Sequence, residues 1–127
     1  MKLFKLRAVP CSEGNPNITC CGFTAYDVTQ KVIVVSFRGS SGTDQSEQLN
    51  NGFINEGIQW YPDVNGNIFK VIYDSFMFLW NGGMQQDLRS LKYKYPGFEL
   101  WINGHSLGGM LSWVASSYLV TSGLYKP

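Results

Sequence analysis

Ser106 lies in a pattern that could make its hydroxyl a nucleophile. Gly104 and Gly108 flank it, which gives Gly-x-Ser-x-Gly. The apolar run from Phe98 to Ile102 predicts a short strand before it, and the apolar spacing from Leu107 onward predicts a helix after it. A sharp turn between a strand and a helix exposes the serine oxygen, and a Cβ at either glycine would collide with the neighbouring strand or helix. The pattern therefore predicts a nucleophile elbow, and the alternative is a glycine-rich turn without chemistry.

A serine nucleophile needs a general base, and the chain has one histidine, His105. His105 directly precedes Ser106, and adjacent side chains at a sharp turn point apart. We therefore expect His105 to be a packed or hydrogen-bonded residue beside the elbow rather than the base. Because an acid without a histidine to orient does not make a triad, the residues predict a nucleophile with an incomplete triad.

Three strands would help to position this turn. The run from Lys31 to Phe37 is the most β-prone in the chain, and its apolar centre from Val32 to Val35 predicts a central strand covered on both faces. Cys21 to Val28 precedes it closely enough to form an antiparallel hairpin with it. Lys2 to Val9 predicts a further strand, which Pro10 ends.

A long helical pattern separates the β-prone run from the elbow. Apolar residues follow helical spacing from Ile68 to Tyr95. We expect the aromatic residues among them to lie in the core. Gly82 and Gly83 interrupt the pattern and predict a kink or two helices. A strand, a crossover helix and a second strand form a right-handed unit with parallel strands. The pattern therefore predicts fold class α/β, with Arg38 and the elbow at the carboxyl end of the sheet, where open α/β folds place their sites.

The composition predicts one globular domain and excludes several classes of protein. The chain has 127 residues, of which 44% are hydrophobic. Its net charge of +1 comes without a basic cluster, so we expect no nucleic-acid partner. No apolar run approaches the roughly 20 residues of a transmembrane segment, and residues 1–7 lack the apolar core of a signal peptide. Without a metal-ligand cluster, phosphate loop or dinucleotide fingerprint, we predict no metal and no cofactor.

The cysteines predict an oxidising environment. Cys11, Cys20 and Cys21 surround a polar loop, and the segment from Asn17 to Thr19 is an N-glycosylation acceptor. A disulfide from Cys11 to Cys20 would close this loop and leave Cys21 as a buried thiol on the following strand. The alternative is three reduced cysteines and a chance acceptor sequence.

Two linked motifs follow the two predicted parallel strands. The first runs from Val35 to Ser40, and the second runs from Gly104 to Gly109. The helix that separates them ends in Lys94-Tyr95-Pro96, and the segment from Ile72 to Phe76 adds to the pattern. Together they resemble the fungal-lipase-like (class 3) lipase family, and most of all its secreted nematode members. The resemblance runs over nearly the whole chain.

The resemblance implies an α/β-hydrolase fold and hydrolysis of carboxylic esters of the triacylglycerol type at a lipid surface. It implies that Ser106 is the nucleophile and that Gly104 and Gly108 form the elbow. The backbone N–H groups of Ser40 and Leu107 would form the oxyanion hole, with the Ser40 hydroxyl as a further candidate donor. Such donors can stabilise the developing charge by about 3 to 4 kcal/mol each. The alternative for Ser40 is an ordinary turn serine.

The family supplies an acid and a histidine on strands after the elbow. The resemblance therefore implies that residues 1–127 form a partial domain, about its N-terminal half, without the C-terminal strands. A gene fragment, a short isoform and a truncated paralogue are all consistent with this. The functional alternative is a non-catalytic pseudo-hydrolase that binds a lipid or a partner.

The resemblance also implies secretion, and two structural expectations accompany it. A sheet that stops after the nucleophile strand exposes an apolar edge, so we expect self-association. For Arg38 we expect a structural role, in which a salt bridge holds the loop after the central strand.

Overall fold

A mixed four-stranded sheet is the centre of the fold. The computed structural model describes residues 1–11, 18–38, 58–60, 67–105 and 107–125. Its strands are β1 (Lys2–Pro10), β2 (Thr19–Asp27), β3 (Val32–Phe37), β4 (Ile58–Trp60), β5 (Asn67–Phe69) and β6 (Glu99–Gly104). Its helices are α1 (Lys70–Leu79), α2 (Gln85–Lys94) and α3 (Leu107–Thr121), with a π-helical turn (Trp80–Met84) between α1 and α2.

The strand order of the sheet is β1-β2-β3-β6. β2 pairs antiparallel with both β1 and β3, whereas β3 and β6 are parallel. The predicted hairpin and the predicted strand-helix-strand unit with parallel strands are therefore confirmed, and α1 and α2 lie in the crossover. β4 and β5 form a separate antiparallel pair.

β3 lies between β2 and β6 and is buried on both faces. Val32, Ile33, Val34 and Val35 are each no more than 5% exposed. Since alternate side chains of a strand point to opposite faces, Ile33 and Val35 join the main core while Val32 and Val34 pack with Ala25 on the other face. This confirms the predicted central strand.

The predicted break at Gly82 and Gly83 is the π-helical turn. Gly83 has a φ of 135°, which residues with a Cβ rarely adopt. The guanidinium of Arg7 on β1 lies beside it, 2.6 Å from where a Cβ would be. The same guanidinium donates two hydrogen bonds of 2.7 Å to the buried Asp87 carboxylate on α2. The turn thus allows β1 and α2 to be joined by an ion pair.

The main core lies between the helices and one face of the sheet, and its centre is aromatic. The ring of Phe76 packs against Trp80 and Tyr118, with centroid distances of 5.6 and 5.4 Å. The core position expected for the helical aromatic residues is confirmed for Tyr73, Phe76 and Trp80, but it is wrong for Phe78 and Tyr93, which are exposed. The buried residues that the helical spacing predicted are Ile72, Phe76, Leu79, Trp80, Met84, Leu88 and Leu91.

A disulfide joins Cys11, after β1, to Cys20 on β2. The two residues are nine positions apart, and both are buried. Cys21 is a free thiol, as expected from this pairing, but it is half-buried rather than buried because it faces away from the main core. The glycosylation acceptor Asn17 lies outside the described residues.

Replacing both Cys11 and Cys20 with alanine is expected to lower the unfolding free energy by about 2 to 3 kcal/mol, because the unfolded chain regains the freedom of the closed loop. Urea unfolding under non-reducing conditions measures the change. The matched control is Cys21→Ala, for which we expect a change below about 1 kcal/mol. Equal midpoints for the double variant and the unsubstituted chain would contradict a stabilising bridge.

Candidate active site

The carboxyl ends of β3 and β6 lie side by side. Their register pairs Ser36 with Asn103 and Phe37 with Gly104. The Ser36 hydroxyl donates a hydrogen bond of 2.6 Å to the side-chain oxygen of Asn103, which fixes the two strand ends against each other. The two motifs, which continue from Arg38 and Gly104, therefore begin at the same end of the sheet.

Close backbone packing accounts for both glycines of the elbow. A Cβ on Gly104 would overlap the carbonyl group of Gly108 and lie 2.9 Å from its Cα. A Cβ on Gly108 would overlap the carbonyl oxygen of Phe37 and lie 3.0 Å from the carbonyl carbon of Arg38. The first turn of α3 therefore contacts the backbone at the ends of β3 and β6, and only glycine permits this approach.

α3 begins at Leu107, three positions after Gly104, the last residue of β6. The N–H of Gly108 donates to the carbonyl oxygen of His105 at 2.9 Å, which closes the turn. The first N–H groups of a helix have no acceptor within the helix and carry partial positive charge. The N–H of Leu107 belongs to this first turn, so the elbow has the kind of donor that an oxyanion site needs.

Two residues of the predicted catalytic set, Ser40 and Ser106, lie outside the described residues. The nucleophile and the oxyanion hole therefore stay predictions. What the structure describes around them is the paired ends of β3 and β6, the packing of Gly104 and Gly108, and the start of α3.

His105 has an exposed side chain. The expected packed position is therefore wrong, and the hydrogen-bonded alternative stays a prediction.

Arg38 holds the chain after β3 to the neighbouring strand β2. Its backbone N–H donates to the carbonyl oxygen of Cys21 at 3.0 Å, and its guanidinium donates to the carbonyl oxygen of Thr19 at 2.5 Å. This contact agrees with the expected structural role, and the partner that the structure describes is a backbone carbonyl. The loop after Arg38 lies outside the described residues, so the salt bridge stays a prediction.

The fold matches known proteins. A family model described as Lipase (class 3) matches residues 34–127, from β3 through the elbow and α3. The chain belongs to the class 3 lipase family. The resemblance predicted from the two motifs is therefore confirmed, and the fold is a partial α/β-hydrolase fold.

The relatives of this chain are much longer than the chain itself. An uncharacterized protein of Caenorhabditis elegans is 51% identical over 82 residues, which are 64% of this chain and 39% of that protein. The Yarrowia lipolytica LIP2 lipase superposes with a TM-score of 0.74 at 18% identity, over 95% of this chain and 42% of the lipase. The lipase of Rhizopus microsporus var. chinensis superposes with a TM-score of 0.73 at 22% identity, over 97% of this chain and 39% of the lipase. The chain thus spans about two fifths of the length of these relatives.

The described residues contain neither a group of metal-binding side chains nor a helix that could span a membrane. Within residues 1–11, 18–38, 58–60, 67–105 and 107–125, no three His, Cys, Asp or Glu side chains are grouped to hold a metal ion. None of the helices in those ranges has both the length and the apolar character to cross a membrane.

Proposed function

We propose that this chain carries the nucleophile and the oxyanion hole of a lipid ester hydrolase. Ser106 is the nucleophile, and the backbone N–H groups of Ser40 and Leu107 stabilise the oxyanion. The observation that carries the proposal is the backbone contact between Gly104 and Gly108. A nucleophile elbow exposes the central residue of its Gly-x-Ser-x-Gly motif, here Ser106, at the carboxyl end of the sheet. Membership of the class 3 lipase family supports it independently.

The proposed reaction is acyl transfer through the serine oxygen. Ser106 Oγ attacks the carbonyl carbon of the ester while its proton passes to a general base, and the alcohol leaves with that proton. Water then hydrolyses the acyl-enzyme and releases a carboxylate. His105 is not the base in this scheme, because it adjoins Ser106 and its side chain is exposed. One matching structure is a triacylglycerol lipase whose catalytic centre is a serine protease triad, and this chain covers 42% of it.

The proposed substrate class is the triacylglycerol-type ester, met at a lipid surface. It is supported by the match to the Rhizomucor miehei triacylglyceride lipase, with a TM-score of 0.68. We propose that residues 1–127 belong to one partial domain. Secretion is the proposed localisation, and the Cys11–Cys20 disulfide and the acceptor at Asn17 support it.

A non-catalytic protein that binds a lipid or a partner is the second candidate. The observation that favours it is the exposed position of the chain's one histidine, because a serine without a base is a poor nucleophile. Trp113 is 75% exposed, and a large exposed aromatic side chain suits contact with an apolar surface.

A fluorophosphonate probe separates the two candidates, because it reacts covalently with an activated serine. We expect Ser106→Ala to abolish labelling. The matched control is Ser112→Ala, which removes a hydroxyl that donates to the carbonyl oxygen of Gly109 at 2.7 Å within α3. Labelling of this control is expected to equal that of the unsubstituted chain.

Two outcomes would contradict the nucleophile assignment. Labelling that persists in Ser106→Ala would assign the reactive group to another residue. No labelling of the unsubstituted chain, together with saturable binding to triolein-containing vesicles, would support the non-catalytic candidate. Even without a triad, an oxyanion hole can raise the reaction rate about 10³-fold above the uncatalysed rate. The labelling of the folded chain is therefore compared with the labelling of the heat-denatured chain.

A further inference from the structure

Arg38 joins three elements at the carboxyl end of the sheet. It directly follows β3, which ends at Phe37. Its backbone N–H donates to the carbonyl oxygen of Cys21 at 3.0 Å, and its guanidinium donates to that of Thr19 at 2.5 Å, both on β2. A Cβ on Gly108 would lie 3.0 Å from the carbonyl carbon of Arg38, so its backbone also contacts the first turn of α3. Arg38 therefore connects the end of β3 with both β2 and α3.

The guanidinium of Arg38 reaches a part of β2 that β3 does not pair with. The pairing of the two strands ends where Gly22 lies opposite Phe37, but β2 itself begins at Thr19. In an antiparallel sheet a backbone N–H of the neighbouring strand would bond to a carbonyl oxygen at this position. Here the side chain of Arg38 supplies the donor, and its positive charge strengthens the hydrogen bond. The chain that leaves β3 is thus held to β2 beyond the last strand pair.

A buried disulfide supports the acceptors of these two hydrogen bonds. Thr19 and Cys21 are the two neighbours of Cys20, whose sulfur is bonded to that of Cys11. Both bonded cysteines are 2% exposed and belong to the main core. The N–H of Cys11 also donates to the carbonyl oxygen of Ile18 at 3.1 Å. The start of β2 is therefore fixed to the end of β1, and the chain after β3 is bonded to a fixed part of the fold.

We propose that Arg38 is a positioning residue of the oxyanion hole, and that the Cys11–Cys20 disulfide supports it through β2. The inference rests on the proposed function, in which Ser40 and Leu107 supply the two donors. Arg38 lies two positions before Ser40, and its backbone contacts the turn of α3 that begins at Leu107. It acts through those donors, because its own hydrogen bonds go to β2. Donors lower the barrier most when they are held in place before the reaction.

The kinetics of fluorophosphonate labelling test the role of Arg38 on the full chain. The phosphoryl oxygen of the probe takes the place of the oxyanion, so the labelling rate at saturating probe depends on the donors. We expect Arg38→Ala to lower this rate at least about tenfold and to leave the half-saturating probe concentration within about twofold. Arg38→Lys keeps a charged donor on a long side chain, so we expect a rate within about threefold of the unsubstituted chain.

The matched control is Arg89→Ala, which removes an exposed arginine from α2. We expect this variant to be labelled at the rate of the unsubstituted chain. Circular dichroism gives the folded fraction of each variant, and the rates are compared per folded molecule. A purely structural role of Arg38 would change the folded fraction and leave the rate per folded molecule unchanged.

Removal of the disulfide tests the second part of the proposal. Replacing Cys11 and Cys20 with alanine is expected to lower the saturating rate about fivefold, because the acceptors of Arg38 lose their support. The same replacement in Arg38→Ala is expected to cause no further loss, since the disulfide then has no side chain to act through. Equal losses in both backgrounds would show that the disulfide does not act through Arg38.

A measurement that needs no activity separates this inference from the proposed function. An unsubstituted chain that is not labelled would overturn the proposed function, and the backbone amide signal of Leu107 in nuclear magnetic resonance then tests the positioning. We expect Arg38→Ala to move this signal through the contact with α3, and Arg89→Ala to leave it in place. Equal labelling rates of Arg38→Ala and Arg89→Ala, or a Leu107 signal that Arg38→Ala does not move, would overturn the inference.

Discussion

Gly108→Ala is expected to lower the unfolding free energy by about 3 kcal/mol, or to prevent folding. The added Cβ would overlap the carbonyl oxygen of Phe37 and lie 3.0 Å from the carbonyl carbon of Arg38. Both contacts are with backbone atoms, so no side-chain rotation relieves them, and α3 would have to move away from β3. Since helix propensity alone favours alanine over glycine by about 1 kcal/mol, a loss of stability would measure the steric effect.

Gly109→Ala is the matched control, one residue further along α3. Its added Cβ would lie 3.3 Å from the carbonyl oxygen of Gly104, a tight contact that a small shift relieves. We expect this variant to stay within about 1 kcal/mol of the unsubstituted chain. Urea unfolding followed by circular dichroism measures both variants. Equal stability of Gly108→Ala and Gly109→Ala would contradict the close packing of the elbow.

The same contacts connect the fold to the proposed chemistry. A nucleophile is useful only if it is held close to the donors that stabilise the charge it creates. In this chain the contact between Gly104 and Gly108 is made by backbone atoms, whereas a side-chain contact could be lost by rotation. The close approach of β6 and the first turn of α3 therefore depends on two residues without side chains.

The elements of this fold could be predicted because their patterns are local. The continuously apolar run Val32 to Val35 follows from burial of β3 on both faces, and Gly82 with Gly83 marks the break in the crossover helix. The form of that break could not be predicted. The π-helical turn lies against Arg7, whose ion pair with Asp87 joins positions 80 residues apart, and no local pattern reports such a contact.

The candidate site likewise has features that the sequence could predict and features that it could not. Its glycines follow a local motif, but the hydrogen bond between Ser36 and Asn103 joins residues 67 positions apart. The positions of the two residues could have revealed this hydrogen bond. Ser36 and Asn103 are each the last residue but one of a strand, and the two strands are parallel neighbours. The partner of Arg38 escaped prediction because β2 presents a backbone carbonyl there, and sequence patterns report side chains.

The outer edge of β6 is an apolar surface suited to a second copy of this chain. β6 pairs with β3 on one side, and no other strand among the described residues pairs with it. A groove of about 390 Å³ lies beside it, between β6 and α3. Its apolar lining consists of Phe98, Leu100, Ile102, Leu119, Val120 and Tyr125. Unpaired strand edges beside apolar surface favour edge-to-edge pairing, and a two-fold axis would bring two such grooves together.

We therefore expect the chain to sediment as a dimer or a larger species. Val120→Lys is expected to raise the dissociation constant of the self-associated form about tenfold or more. Val120 lines the groove and is 49% exposed, so a lysine there brings a charge to the contact without entering the core. The matched control is Val28→Lys, at a position 56% exposed in the turn after β2. Sedimentation velocity over a concentration series measures all three chains. A monomeric unsubstituted chain, or equal shifts in both lysine variants, would contradict association through β6, because only Val120 lies at that edge.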